Sequence, residues 1–209
     1  MRHRAEPPLV RAARRAGVSD ERVLDAVGEV PRERFVPPDR RAEASRDRPV
    51  RIGQEQTTSQ PSLVAMMCAA LELRGTERVL EIGTGLGYQA AVLSHLAAEV
   101  CTIERHVELA EAARRNLDAV GIDNVTVVAG DGTRGLPDHA PFDAVIIAAA
   151  APGIPPAITE QIVHGGRLVA PVSQRGVEQV LVYTRDPDGL TEQRRLTAAR
   201  FVPLVAGSD

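Results

Sequence analysis

Between residues 78 and 172, short apolar runs of β character alternate with amphipathic stretches, and that alternation restricts the fold more than any other feature of the chain. Residues 78–82 (RVLEI), 100–103, 125–128, 144–147 and 167–172 read as strands, and 88–97, 107–120 and 158–163 read as helices. Strands separated by one helix pair in parallel, because a parallel pair needs a long crossover, and a parallel sheet must be covered on both faces. The expectation is α/β, a mostly parallel sheet. Residues 179–185, a DPDG turn at 186–189, and 191–202 then read as an antiparallel hairpin on its edge.

The first 60 residues read differently. Residues 10–15 form one short helical segment, and Ser19 or Asp20 caps a second through Val23, Leu24 and Val27. Pro31, Pro37 and Pro38 break the chain around Phe35 and Val36. Residues 39–48 hold seven charges and read as a solvated helix or a mobile flap. An apolar helical run, 63–71, follows Pro61, a good first-turn residue. At 209 residues the chain is long enough for one domain without metal or disulfide staples. The expected division is a helical N-terminal cap (1–60), a βαβ core (61–175) and a C-terminal hairpin (176–209).

Composition removes several chemistries. The chain has no lysine, so all 25 cationic side chains are arginine, which excludes lysine Schiff bases, a P-loop lysine and a lysine general base. A formal charge of −3 and 2% aromatic residues argue against binding nucleic acid through phosphates or base stacking. Cys68 and Cys101 lie among apolar residues, and His95, His106, His139 and His164 lack ligand spacing, so no metal site is expected. No run approaches the ~18 apolar residues of a membrane helix, and no signal-peptide core is evident. A cytoplasmic monomer, without membrane or nucleic-acid partners, is the expectation.

The chemistry centres on the loop after the first core strand, Glu81-Ile82-Gly83-Thr84-Gly85-Leu86-Gly87. Its GxGxG spacing differs from the GxGxxG of dinucleotide folds, and Glu81 would repel a phosphate while favouring a ligand cation. Glu104 closes the next strand, where a carboxylate can accept both hydroxyls of a ribose. Asp131, followed by Gly132, stands after the third, placed for the exocyclic amine of adenine. Three acids at the carboxyl ends of three successive strands suit a cationic nucleoside without phosphate, S-adenosylmethionine. The fold class is then a Rossmann-like S-adenosylmethionine-dependent methyltransferase.

Several segments extend this. Gln56-Thr57-Thr58-Ser59-Gln60-Pro61, VLEIGTG at 79–85, GDG at 130–132, PFDA at 141–144, AAAP at 149–152, GGRLV at 165–169 and RFVPL at 200–204 occur in one order. Through them the chain resembles the protein-L-isoaspartate O-methyltransferase family over about residues 20–205. The resemblance implies methylation of the free α-carboxylate of L-isoaspartyl residues in aged proteins and peptides, starting repair through a succinimide. It gives Ser59 the catalytic role of holding that carboxylate, although a serine there can also cap the helix from Pro61. On the cofactor side it implies Gln56, Thr57, Thr58, Glu81, Gly83, Thr84, Gly85, Leu86, Glu104, Arg105, Asp131 and Gly132. On the substrate side it implies Ile52, Ser59 and Val202, the last through backbone amides that read the peptide main chain. The family commonly has glycine, serine and threonine where this chain has Glu55, Leu86 and Ala148. Two other readings stay open: methylation of a normal aspartate in a dedicated peptide, and a cofactor-binding module without activity.

Overall fold

A computed structural model describes residues 5–174 and 176–207. Helices α1 (Pro8–Arg15) and α2 (Glu21–Glu29) come first, and the Asp20 side chain caps α2 by accepting from Arg22 N–H. Two 3-10 turns, Arg32–Phe35 and Pro38–Glu43, follow the prolines. Strands β1 (Val50–Gly53) and β2 (Gln56–Thr58) form a small antiparallel hairpin, and α3 runs Pro61–Ala70. The core continues as β3 (Arg78–Ile82), α4 (Tyr88–Ser94), β4 (Glu99–Glu104), α5 (Val107–Ala119), β5 (Val125–Ala129), β6 (Phe142–Ile147), α6 (Pro156–Thr159) and β7 (Ile162–Gln174). It ends with β8 (Val177–Asp186) and β9 (Gly189–Ala198).

The seven strands form one sheet in the order β5-β4-β3-β6-β7-β8-β9, parallel from β5 to β7 and antiparallel beyond. Alternation along β3 explains why both faces are buried. Val79 joins a cluster with Leu9, Val23, Leu24, Leu63 and Val92, so α1 to α5 form one layer on that face. Leu80 and Ile82 point the other way, onto Phe142, Val145, Ile158 and Leu168. Each such aliphatic residue contributes roughly 1.5–3 kcal/mol when fully buried. The N-terminal cap is thus continuous with the core. Connections reverse on either side of β3, and open sheets of this kind bind ligands beyond their carboxyl ends at that point.

Three local expectations are corrected. The solvated helix expected over 39–48 is limited to the 3-10 turn Pro38–Glu43, and the rest of the stretch is tied to the fold. After the 3-10 turn, Ala44 is buried and the carbonyls of residues 44, 46 and 48 accept hydrogen bonds from Arg32. The helix expected over 158–163 ends at Thr159, because Ile162 already pairs with Phe142 in the sheet. The last strand stops at Ala198 and not at Val202. Glu178 accepts from Phe201 N–H at 2.6 Å, and residues 202–204 cross to Ala150. The β1–β2 hairpin is an addition. Its turn holds Gln54 and Glu55 at φ 47° and 57°, without the Asn-Gly or Asp-Gly that usually marks such turns. Among the described residues no helix is long and apolar enough to cross a membrane.

Candidate active site

The carboxyl ends of β3, β4 and β6 open onto a cavity of about 410 Å³, roofed by the β1–β2 hairpin and closed on one side by residues 202–205. That volume is in the range of small-molecule sites. Gly83, Gly85 and Gly87 all have positive φ (94°, 55° and 95°), so the loop between β3 and α4 adopts a conformation that side-chain-bearing residues rarely hold. At Gly85 a Cβ would come within 3.0 Å of Ile52 Cδ1, which shows how closely the hairpin covers the loop. Leu86 packs with Ile52 and Leu109 at the same corner.

Glu104 stands in the cavity wall. Its carboxylate accepts from Gly85 N–H at 2.8 Å and from His106 N–H at 3.1 Å, one bond to each oxygen. Those bonds fix its orientation and leave lone pairs on both oxygens for a ligand diol. Of the other expected residues, Ile52, Gln56, Thr57, Thr58, Ser59, Gly83, Thr84, Gly85, Leu86, Arg105, Gly132 and Val202 also line this cavity.

Glu81 and Asp131 do not. Glu81 is 0% exposed beneath the glycine loop, where Thr102 Oγ1 donates to it at 2.5 Å and Thr84 Oγ1 lies 2.6 Å from Thr102 Oγ1. Burial pushes its carboxyl up to about 8, against the opposing pull of the Thr102 hydrogen bond. Glu81 therefore lies beneath the loop, bonded to Thr102 and outside the cavity wall where a ligand cation was expected to meet it. Asp131 caps the 3-10 turn Gly132–Arg134, accepting from Thr133 N–H and Oγ1 and, with its second oxygen, from Gly207 N–H at 2.9 Å. Burial raises its carboxyl, and those donors outweigh it, so the group sits below the ordinary carboxylate range. Only its neighbour Gly132 reaches the cavity, where a Cβ would lie 2.6 Å from Ile82 Cγ2.

Ser59 follows β2. It does not cap α3: the N-cap is Gln60, which makes no side-chain cap bond, and Asp47 takes that role by accepting from Ser62 N–H at 2.9 Å. Ser59 instead lies where the first cavity meets a second of about 330 Å³, and Thr57, Ala148 and Val202 are the other residues shared by the two. Val202 reaches this junction through backbone bonds: Ala150 N–H donates to its carbonyl at 2.8 Å, and Leu204 N–H donates to Ala150 O at 2.7 Å. Residues not named as site residues from the sequence also line the first cavity. Ile103 and His106 sit at the end of β4, Tyr88 begins α4, and Leu204 arrives from the far end of the chain. The strand period would have placed Ile103 next to Glu104; Leu204 depends on a tertiary crossing.

Comparison with known proteins gives a consistent picture. Residues 4–209 match the family model described as protein-L-isoaspartate(D-aspartate) O-methyltransferase. The chain is 54% identical over 190 residues to protein-L-isoaspartate O-methyltransferase 2 of Marinobacter nauticus, covering 90% of this chain and 87% of that one. It is 51% identical over 193 residues to the Roseiflexus castenholzii protein-L-isoaspartate O-methyltransferase, covering 92% and 88%. A solved protein-L-isoaspartate O-methyltransferase superposes with a TM-score of 0.83 at 30% identity over 93% of this chain, which spans 64% of the solved one. A Plasmodium falciparum chain assigned the same activity, solved with S-adenosyl-L-homocysteine, gives a TM-score of 0.82 over 97% and 99% of the two chains. At 20% identity that likeness concerns the fold.

Proposed function

This chain belongs to the protein-L-isoaspartate(D-aspartate) O-methyltransferase family, and on that premise we propose that its larger cavity holds S-adenosylmethionine while Ser59 presents the acceptor carboxylate from the smaller one. The enzyme methylates the α-carboxylate of L-isoaspartyl residues in proteins and peptides. The methyl ester closes to a succinimide as the following backbone nitrogen displaces methanol, and water reopens the ring in part to normal aspartate. The observation that carries the site assignment is the meeting of two cavities at Thr57, Ser59, Ala148 and Val202. A transfer reaction needs such an arrangement, with donor and acceptor entering from different sides and touching at one point.

The residues present fit the donor. A glycine loop lets backbone approach closely, Glu104 offers oriented acceptors for a diol, and Leu86 and Ile103 give apolar contact. When bound, S-adenosylmethionine supplies a sulfonium methyl, whose transfer to a carboxylate oxygen leaves S-adenosylhomocysteine and a neutral ester. The acceptor is already ionised at neutral pH (ordinary pKa about 4), so no residue need act as a base. The work left to the protein is alignment and the replacement of water by fixed dipoles. Ser59 Oγ donates to one acceptor oxygen, and the backbone at Val202 holds the peptide main chain. Such main-chain reading tolerates many flanking sequences.

A monomer is part of the same reading. It is supported by how few large apolar residues are exposed among those described, namely Val107, Val177 and Val205, which lie far apart in sequence. Light scattering on the purified chain tests it, and a stable dimer would refute it. The activity is tested by methyl transfer from labelled S-adenosylmethionine to matched L-isoaspartyl and normal aspartyl peptides, with Ser59→Ala alongside. Transfer to the isoaspartyl peptide alone, reduced by about 10²-fold or more in Ser59→Ala, is the expected result. Transfer to the aspartyl peptide alone would refute repair, and full activity in Ser59→Ala would refute the role of that hydroxyl.

A further inference from the structure

Arg32 is 2% exposed, yet none of its hydrogen bonds goes to a carboxylate. All four of its Nη–H bonds go to backbone carbonyls. Nη1 donates to Ala44 O at 3.1 Å and Arg46 O at 3.0 Å; Nη2 donates to Arg48 O at 2.9 Å and Ser59 O at 3.2 Å. The guanidinium carbon also lies 5.5 Å from the centroid of the Tyr88 ring, itself in the wall of the larger cavity. Asp47, within the segment Arg32 gathers, binds the chain on the other side of Ser59. Its Oδ1 accepts from Ser62 N–H at 2.9 Å, and its Oδ2 accepts from Ser62 Oγ at 2.9 Å and Gln60 Nε2 at 3.0 Å. Residues 59–62 are therefore held at the Ser59 carbonyl by Arg32 and at Gln60 and Ser62 by Asp47.

We infer that Arg32 is a positioning residue for methyl transfer, which with Asp47 clasps residues 44–48 against Ser59–Ser62 and so fixes the place from which the Ser59 hydroxyl reaches the acceptor. The inference rests on the reading of Ser59 given above. Among the described residues the Ser59 hydroxyl has no hydrogen-bond partner, so the point from which it projects is set by its own backbone, and Arg32 holds the carbonyl of that backbone. A planar fork is suited to four carbonyls arriving from two segments. A lysine, with three donors on one atom and no plane, cannot meet them all. Displacement of a reacting group by about 1 Å costs on the order of 10²-fold in rate, so partial loss of the clasp is measurable without unfolding.

The test compares wild type with Arg32→Lys, Ser59→Ala and the double variant, each confirmed folded by circular dichroism at the assay temperature. S-adenosylhomocysteine affinity is measured by calorimetry, and kcat and KM are measured with an isoaspartyl peptide. Arg32→Lys is expected to bind S-adenosylhomocysteine within about 3-fold of wild type and to lose about 10–100-fold in kcat/KM for the peptide. The double variant is expected to fall no lower than Ser59→Ala, because both changes remove one function. Unchanged kcat/KM in a folded Arg32→Lys overturns the inference while leaving Ser59 in place. So do losses that multiply in the double variant, or a loss matched by S-adenosylhomocysteine affinity. Full activity in Ser59→Ala overturns the reading beneath it. If Arg32→Lys does not fold, Asp47→Ala loosens the same segment from the other side, with the same expected pattern, and unaltered peptide kinetics there count equally against the clasp.

Discussion

Replacing Glu81 by glutamine tests the assignment of that side chain to a buried place under the loop. The carboxyl is fully buried on β3, and burial moves it from an ordinary 4.5 to about 8. Its folded value lies above its unfolded one, so the native state binds a proton that the unfolded chain releases between those values. Stability from this group is therefore complete below pH 4.5 and is lost as pH rises toward 8. Integrating the proton difference from pH 5.5 to 7.5 gives a loss of about 2–3 kcal/mol in the wild type. Glutamine has nearly the same shape, keeps an acceptor for Thr102 Oγ1, and does not titrate. Urea unfolding at both pH values measures the effect. With a slope of about 2–3 kcal/mol/M, the wild-type midpoint should fall by roughly 1 M more than that of Glu81→Gln. Because Glu81 does not line the cavity, S-adenosylhomocysteine affinity should stay within about 3-fold, since a lost charge-assisted ligand contact would cost more. Parallel pH dependence in the two proteins would refute the buried, protonated carboxyl. A large loss of affinity with unchanged stability would return Glu81 to the ligand.

The remaining predictions concern the cavity itself. Glu104→Ala removes the acceptors fixed by Gly85 and His106 N–H and should weaken S-adenosylmethionine binding by about 10–100-fold; affinity equal to wild type by calorimetry would exclude Glu104 from the ligand. Gly132→Ala places a methyl 2.6 Å from Ile82 Cγ2 and should cost about 1–3 kcal/mol in denaturant unfolding, whereas an unchanged midpoint would mean the strand yields freely. Glu55→Gly relieves a side-chain-bearing residue at φ 57° and should raise stability by about 1 kcal/mol. The same change removes a carboxylate from the wall of the larger cavity, so KM for an isoaspartyl peptide should fall. A KM that rises would show that the charge assists the acceptor.

Much of this architecture is carried by local pattern. A strand repeats every two residues and a helix every 3.6, so the βαβ order, the glycine turn and Glu104 at a strand end are visible without any contact being known. The turn at Gln54 and Glu55 carries no such mark, since both residues adopt positive φ against their own preference and the packing of Ile52 on the loop holds them there. Arg32 is equally silent, one arginine among many, whose carbonyl partners lie 12 to 27 residues away.

The two glutamates show the division most directly. The sequence by itself places Glu81 and Glu104 near the carboxyl ends of neighbouring strands and offers both to the ligand. Sheet register separates them. Glu81 pairs with Thr102, two residues before Glu104 on the adjoining strand, so its side chain lies about 6–7 Å deeper in the sheet. At that depth water is excluded and the carboxyl is pushed up to about 8, with the Thr102 hydroxyl and the Gln89 side chain pulling against the shift; two residues further along, Glu104 passes the end of β3 and faces the cavity. Residue type and period determined that acids would stand at this edge. Which of them faces the cavity was decided by register, a relation between strands about twenty residues apart in sequence.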